Sequence, residues 1–454
     1  MSFDPVIKSS DRSSLNLVRH LVIVAGGRGT RLARASELPK ALIPVGGKPV
    51  LEHQLELAQG AGISEVTIFA GYLADRIVSF VGDGSRFGLK VRILVEEQPM
   101  GNAGALLRSL DALPEHFFVL YGDVMVAADL RRLAQHHIDR GADVTTVAHP
   151  NDHPLDSDLL EIDADGWVTA IHACPHPADR YFDNLVNAAL YAVRRDALTP
   201  WAAAGNCDFA KDVMRQLVAN RGRVLAYVST DYVKDMGTPE RLRQVEIDWN
   251  EGRIDLRRPS QTRPAIFLDR DGTLIVAREW LRAADAMELI PDVAAALRSL
   301  RTAGFRLVVL TNQPVIARGE ATEADVATIH RRLQWEIGKQ GAYLDAIYVC
   351  PHHPDRGFPG ERPELKIECQ CRKPATGLLE RACRDLSIDP TASWMVGDET
   401  RDIEMARRGG LRSILVRTGK AGLDHKFHCI PDFVVDDLPA AVTMILEKAP
   451  ATAP

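Results

Sequence analysis

A short apolar run, Ala265–Leu268, ends in Asp269-Arg270-Asp271-Gly272-Thr273-Leu274. Side chains two residues apart at a strand end point the same way, so one carboxylate can attack while the other moves protons. The next such run ends Leu310-Thr311-Asn312-Gln313 and offers a hydroxyl and an amide to phosphoryl oxygens. Arg372-Lys373-Pro374 supplies fixed cations. Met395-Val396-Gly397-Asp398 closes a further run with a carboxylate suited to Mg²⁺, and Asp402 lies four residues on.

Seven cysteines, an odd number in a chain of 454 residues, do not form a disulfide framework and point to a reducing cytoplasm. Cys174, Cys207, Cys383 and Cys429 are scattered, whereas Cys350, Cys369 and Cys371 fall within 22 residues. Cys350-Pro351-His352, a 16-residue loop and Cys369-Gln370-Cys371 give four sulfur and nitrogen ligands. Such a set suits a closed, structural Zn²⁺ that clips a loop with little core of its own. His353 is the alternative to His352. Because Cys371 directly precedes Arg372-Lys373, the metal would also position those cations.

A second constellation opens the chain. The run Leu21–Ala25 leads into Ala25-Gly26-Gly27-Arg28-Gly29-Thr30-Arg31-Leu32, where glycines let backbone N–H groups approach phosphate and the arginines add charge. It is neither a P-loop nor a complete dinucleotide fingerprint. Lys40 can hold a phosphate as a point charge. Glu97-Gln98-Pro99-Met100-Gly101-Asn102-Ala103-Gly104 is a small-residue turn suited to a flat base or ribose. Asp123 ends Phe117–Tyr121-Gly122, and Asp235 precedes Met236-Gly237-Thr238-Pro239-Glu240; the two carboxylates suit one Mg²⁺ on a triphosphate.

Strands must carry these groups, and alternation with helical patterns predicts α/β units. Strands are expected at Leu21–Ala25, Val66–Ala70, Val91–Val95 and Phe117–Tyr121, with a helix at Leu51–Ala58. A strand-rich stretch follows (Asp143–Ala148, Leu159–Ile162, Trp167–Ile171, Ala188–Val193), with a hairpin turn at Asp165-Gly166. The rhythm restarts at Ala265–Asp269, Arg306–Thr311, Ala346–Val349, Trp394–Val396 and Ser413–Val416. Two unlike α/β domains are therefore expected, at 20–250 and 264–449, with the zinc loop at 350–371. A polar linker covers 251–263, and tails cover 1–19 and 450–454. Hydrophobic residues make up 46% of the chain and the net charge is −6, which excludes disorder and offers no footprint for nucleic acid or an anionic membrane. No apolar run spans a membrane, and the first residues lack a secretory pattern.

Residues 20–248 resemble the sugar-1-phosphate nucleotidyltransferases, most nearly the mannose- and heptose-1-phosphate guanylyltransferases. The resemblance implies a Rossmann-like (GT-A-like) mixed sheet with helices on both faces. It implies nucleotide binding by Gly26, Gly27, Arg28, Gly29, Thr30, Arg31, Lys40, Glu97, Gly101 and Asn102, and Mg²⁺ on Asp123 and Asp235. GTP and an α-anomeric sugar 1-phosphate are the expected substrates, with ADP-, dTDP- or CDP-linked products as alternatives. Relatives often carry Glu-Lys-Pro where this chain has Ile171–Pro177; His172, His176 and Arg180 are the candidate replacements.

Residues 264–447 resemble the haloacid dehalogenase superfamily and, with the zinc loop, its D-glycero-D-manno-heptose 1,7-bisphosphate phosphatases. Histidinol-phosphate phosphatases share that loop. The resemblance implies a parallel sheet with Asp269 as nucleophile and Asp271 as acid and base. Mg²⁺ would sit on Asp269, Asp271 (carbonyl) and Asp398, with Thr311 and Lys373 stabilising the phosphoryl group. Asn312, Gln313, Arg318 and Arg372 are expected to bind substrate. Pro314-Val315 and Glu399 stand where the family usually has Ser-Gly and a basic residue. The two halves together imply consecutive steps of nucleotide-activated heptose synthesis. The alternative is a phosphatase whose first half acts on another hexose 1-phosphate or only binds a nucleotide sugar.

Overall fold

Side chains of His20–Ala25 (β1) alternate between two cores: Leu21 and Ile23 enter one and Val22 the other. Apolar residues on both faces belong to a strand covered on both sides, and β1 lies inside a nine-stranded sheet. The computed structural model describes residues 17–27, 38–177, 179–256, 261–279 and 281–448.

After a small hairpin, β2 (Pro44–Val45) and β3 (Lys48–Pro49), strands β4 (Glu65–Ala70) and β5 (Lys90–Val95) extend the sheet parallel to β1. On the other side stands β6 (His116–Tyr121), also parallel. β7 (Val124–Ala127) leaves this sheet. Then come β8 (Val144–His149), β9 (Leu159–Ile162), β10 (Val168–His172), β11 (Val186–Arg194) and β12 (Val224–Val228). β11 runs antiparallel to β6, β8 and β9, which makes the sheet mixed. β13 (Tyr232–Asp235) pairs with β7 as a separate ribbon.

Helices α1 (Val50–Ala61), α2 (Ala74–Val81) and α4 (Leu130–Arg140) pack on one face of the large sheet; α3 (Gly104–Arg108) and α5 (Arg215–Ala219) pack on the other. α6 (Pro239–Asn250) and α7 (Arg253–Leu256) join the ribbon's core through Val245 and Ile254. The start of the segment read as linker is thus helical, because Ile254 is apolar and buried against that core.

The second sheet is fully parallel. Its six strands, β14 (Ala265–Leu268), β15 (Arg306–Asn312), β16 (Ala346–Cys350), β17 (Trp394–Gly397), β18 (Arg412–Val416) and β19 (Phe433–Val435), stand in the order β16-β15-β14-β17-β18-β19. Ile266 and Leu268 face the core shared with α8 (Val293–Thr302), α10 (Glu323–Gly338) and α13 (Leu438–Lys448). Ala265 and Phe267 face α11 (Gly377–Leu386) and α12 (Thr400–Gly409). A single turn, α9 (Pro314–Ala317), follows β15, with Pro314 in its first turn, where a missing N–H is harmless. α10 starts at a capping box in which Thr322 Oγ1 accepts from Asp325 N and Asp325 Oδ2 accepts from Thr322 N.

Candidate active sites

The first site lies where β1, β4, β5 and β6 end. Lys40 Nζ and Asp123 Oδ2 are 2.7 Å apart, each side chain about one-fifth exposed (22% and 23%). Asp235 stands opposite Val124 in the β7–β13 ribbon, and the carbonyl of Asp123, just before β7, accepts from Met236 N (2.8 Å), so the two aspartates lie at the same end of the ribbon. Both Asp235 oxygens accept from Arg241 at 2.8 Å. Gly101, at φ +74°, lets the Glu97–Gly104 turn pack on Cys207, where a Cβ would lie 2.3 Å from the carbonyl oxygen. The Asn102 amide does not face the cleft: it donates to Asp208 (2.9 Å) and accepts from Phe209 N (2.7 Å), tying two segments together. Glu97, Gln98 and Met100 line a cleft of about 690 Å³. Gly26 and Gly27 are described; Arg28, Gly29, Thr30 and Arg31 lie outside the described residues.

Of the three candidate replacements near Ile171–Pro177, His172 and Arg180 both bind Glu161 (2.7 and 2.9 Å), and His176 bonds the Ser157 carbonyl (2.8 Å). These bonds all lie within one wall, while the buried His176 Nδ1 has no hydrogen-bond partner among the described residues. Sequence reasoning missed Glu96, whose Oε1 lies against Gly26 and finds no partner among the described residues. Burial pushes its carboxyl upward, and the Met100 N–H opposes this. Arg241 was also missed, since nothing in its helix marks it out before the ribbon places Asp235 beside it.

The second site sits at the ends of β14, β15 and β17. Lys373 Nζ bridges Asp269 Oδ1 (2.6 Å) and Asp402 Oδ1 (2.7 Å), and its side chain is 1% exposed. Oxygens of Asp269, Asp398 and Asp402 lie within 4.8 Å of one another. Three carboxylates thus face one ammonium, which leaves two formal negative charges. Burial pushes the Asp269 carboxyl up to about 7, with Lys373 opposing and Asp402 reinforcing. Burial likewise pushes Asp398 up to about 8, helped by Asp269 and Asp402. Asp398 Oδ2 accepts from Lys420 N (2.7 Å), while its buried Oδ1 has no hydrogen-bond partner among the described residues. Gly272, at φ +80°, permits this packing, since a Cβ there would lie 2.6 Å from Asp398 Oδ2. The donor set, the excess negative charge and the orphan oxygen fit a divalent cation.

Asp271 is held on two sides. Arg270, 1% exposed, reaches it at 2.8 Å, and Gln313 Nε2 donates to it at 2.9 Å and to Thr311 Oγ1 at 2.7 Å. The other face of Arg270 meets His330 Nε2 at 3.0 Å. Asn312 departs from its expected role: its amide clasps the Lys373 backbone, donating to the carbonyl (3.1 Å) and accepting from the N–H (3.0 Å). Arg372 donates to the His352 carbonyl (3.1 Å), and Arg318 lies over the Phe358 ring (4.4 Å). Glu399, in place of the usual basic residue, is neutralised by Arg401 and by Lys420 (2.6 Å).

Cys350, His352, Cys369 and Cys371 converge as the spacing predicts. Cys371 Sγ lies 3.3, 3.2 and 3.2 Å from Cys350 Sγ, Cys369 Sγ and His352 Nδ1, and Cys350 Sγ lies 3.6 Å from Cys369 Sγ. A tetrahedron with metal–sulfur bonds of about 2.3 Å has edges of about 3.8 Å, so the cage is close to that size. Hydrogen bonding from Cys350, with Cys369 and His352 adding to it, pulls the Cys371 thiol down to about 5 against burial. His353 instead accepts from Asp355 N (3.2 Å).

Two strand-end carboxylate sites on two α/β sheets define a nucleotidyltransferase joined to a phosphatase. The nucleotidyl transferase family model matches residues 20–251, and a HAD-hydrolase-like model matches residues 370–441. The D-glycero-beta-D-manno-heptose-1,7-bisphosphate 7-phosphatase of Yersinia pestis is 41% identical over 187 residues, 40% of this chain and 97% of the relative. The D,D-heptose 1,7-bisphosphate phosphatase of B. bronchiseptica, solved with magnesium and phosphate, is 30% identical over 41% of this chain and 99% of its own (TM-score 0.37). HddC from Yersinia pseudotuberculosis is 24% identical over 51% of this chain and 100% of its own (TM-score 0.45). The chain belongs to the nucleotidyl transferase family and to the heptose-bisphosphate phosphatase family, and it is a phosphatase and nucleotidyltransferase. Among the described residues, no helix is long and apolar enough to cross a membrane.

Proposed function

We propose that the second half removes the 7-phosphate of D-glycero-D-manno-heptose 1,7-bisphosphate and that the first half transfers a nucleotidyl group, GMP from GTP, to the resulting heptose 1-phosphate. The observation that carries this reading is the convergence of Asp269, Asp271, Thr311, Lys373 and Asp398 at one edge of the parallel sheet, in a chain that also holds a transferase fold. The product of one half is the substrate class of the other.

Asp269 attacks the phosphorus of the 7-phosphate, and the bond from phosphorus to the sugar oxygen breaks. Asp271 gives its proton to that oxygen, leaving an aspartyl phosphate. Asp271 then takes a proton from water as the water attacks phosphorus, which frees inorganic phosphate and restores Asp269. Arg270 and Gln313 hold Asp271 for both transfers. Asp269, Asp398 and the Asp271 carbonyl would hold Mg²⁺, with Asp402 in the same cluster, and the bound ion would supply positive charge for the phosphoryl oxygens. Lys373 adds its own charge to that oxygen set. Arg318 and Arg372 are the cations proposed for the 1-phosphate. Cys350, His352, Cys369 and Cys371 would hold a structural Zn²⁺ that fixes the backbone leading into Arg372-Lys373.

In the first half, an oxygen of the sugar 1-phosphate attacks the α-phosphorus of the NTP in line, and pyrophosphate leaves. Asp123 and Asp235 would hold Mg²⁺, Lys40 lies beside them, and the Glu97–Gly104 turn borders the cleft proposed for the nucleotide. GTP rests on the resemblance to the guanylyltransferases. The α-anomer rests on the same resemblance, whereas the Yersinia pestis relative is named for the β-anomer. The test is incubation with each anomer of the bisphosphate and each NTP in turn, with products identified by mass. GDP-heptose with both phosphate and pyrophosphate released is expected. Phosphate release with no nucleotide sugar from any NTP would overturn the transferase reading.

A further inference from the structure

The two halves meet along α10, and its contacts lead toward both sites. Arg331, Trp335 and Gly338 recur at i, i+4 and i+7 and form one stripe. Arg331 Nε donates to Asp183 Oδ2 at 3.0 Å. Trp335, 8% exposed, packs with Leu159, Phe182 and Val186, its ring 6.4 Å from Phe182 and 5.8 Å from His176. A side chain at Gly338 would strike Pro154, with a Cβ only 2.6 Å from Cγ. The other side of the helix, Ile329, Leu333 and Ile337, lies in the phosphatase core.

Each face continues to a site. On the phosphatase side, His330 meets Arg270 (3.0 Å), which holds Asp271 (2.8 Å). On the transferase side, segments 151–154 and 182–184 are bound together by Asn151 and Asn184 through two hydrogen bonds of 3.1 and 2.7 Å. His153, next to Pro154, lies 3.5 Å from Arg241, which grips Asp235. Asn187, at the start of β11, bonds the Tyr191 hydroxyl (2.7 Å) beside Tyr121, two residues from Asp123. Two walls of the transferase site therefore rest on a helix whose opposite side orients the phosphatase acid–base.

We propose that α10 is a positioning element shared by the two active sites, with Trp335 as the contact that sets the transferase wall. This rests on the transferase and phosphatase readings above. Trp335 touches no reacting group in either; it acts through the segments it supports.

The test is Trp335→Ala in the full-length chain. Phosphate release from heptose 1,7-bisphosphate and pyrophosphate release from GTP with heptose 1-phosphate are measured per folded molecule, with folding followed by circular dichroism. A fall in phosphatase kcat and a rise in the transferase KM for the sugar phosphate are expected, each roughly 2- to 30-fold. The KM for GTP should stay within about twofold, and Trp335→Phe should restore both sites. Arg331→Gln, which spares the packing, should give the same pattern more weakly. A common loss of kcat with every KM unchanged would mean that Trp335 serves folding alone, and it would overturn the proposal. So would an unaltered variant, or an effect at only one site. A wild-type chain that releases no pyrophosphate would instead defeat the transferase reading itself.

Discussion

Replacing Asn312 by alanine removes both hydrogen bonds that clasp the Lys373 backbone, at 3.1 and 3.0 Å, while leaving every charged group of the site in place. A hydrogen bond contributes a net ~0.5–1.5 kcal/mol, so the pair is worth about 1–3 kcal/mol. For a domain of about 150–250 residues, each kcal/mol moves the melting temperature by roughly 2–4 °C, which predicts a fall of about 2–12 °C in the phosphatase transition. The ammonium would remain drawn to Asp269 and Asp402, at 2.6 and 2.7 Å, but on a looser backbone. Misplacement by about 1 Å can lower a rate by about a hundredfold. The expected result for Asn312→Ala is therefore a kcat about 10- to 100-fold lower, with KM for the bisphosphate within about twofold of wild type. Steady-state phosphate release measures both. A tenfold rise in KM with kcat retained would show that the amide binds substrate, as the sequence alone suggests, and would refute the clasp.

Asp269→Asn should lower phosphate release by more than about a thousandfold while leaving pyrophosphate release intact, and full phosphatase turnover would sink the nucleophile assignment. Elemental analysis should find zinc in the chain. Closing a loop of about 15 residues contributes about 3 kcal/mol, so metal removal by a chelator should lower the phosphatase melting temperature by about 6–12 °C; an unchanged melting temperature would count against the cage. His137 offers a pH test: burial, reinforced by His116, lowers its pKa to about 3. The unfolded imidazole takes a proton near 6.5, so stability should fall as pH drops from about 6.5 toward 3, by about 2 kcal/mol at pH 5. His137→Phe should reduce that slope in urea melts, and an identical slope would refute the assignment.

How much of this was legible in the sequence depended on how local each contact is. Asp269, Asp398 and the cluster of Cys350, His352, Cys369 and Cys371 stand at strand ends or in a short-range pattern, and their neighbours dictate where they point. Arg270 sits between two aspartates and reads as a spacer; its role appears only because His330 arrives from a helix 60 residues away. Asn312 and Asn102 read as ligand contacts because amides beside a site usually are, yet both are satisfied by distant backbone or side-chain partners. β7, β12 and β19 were not among the expected strands, although β9, β14 and β17 are similarly short and were. Nothing in the sequence singles out Trp335. Only the docked first half shows that the core it enters belongs to the other sheet.

The two sites pose the same electrostatic problem and meet it with different burial. Each sets a lysine against an aspartate at the end of a parallel strand, Lys40 on Asp123 and Lys373 on Asp269. The first pair is about one-fifth exposed; in the second, the lysine is 1% and the aspartate 13% exposed. On the reading proposed above, this contrast follows from where the nucleophile comes from. In the phosphatase it is the protein's own carboxylate, which must be fixed, desolvated and shielded from stray water until Asp271 activates one. In the transferase both reactants arrive from solution and the nucleophile is the sugar phosphate. A partly solvated ion pair, in a half that also holds an open cleft of about 690 Å³ lined by the Glu97–Met100 turn, suits two charged ligands better than a closed cage would. A shared helix then has a physical use, because the segments 151–154 and 182–184 that border the open site pack against it through Pro154, Phe182 and Asp183. The rigid parallel sheet behind α10 can supply that support.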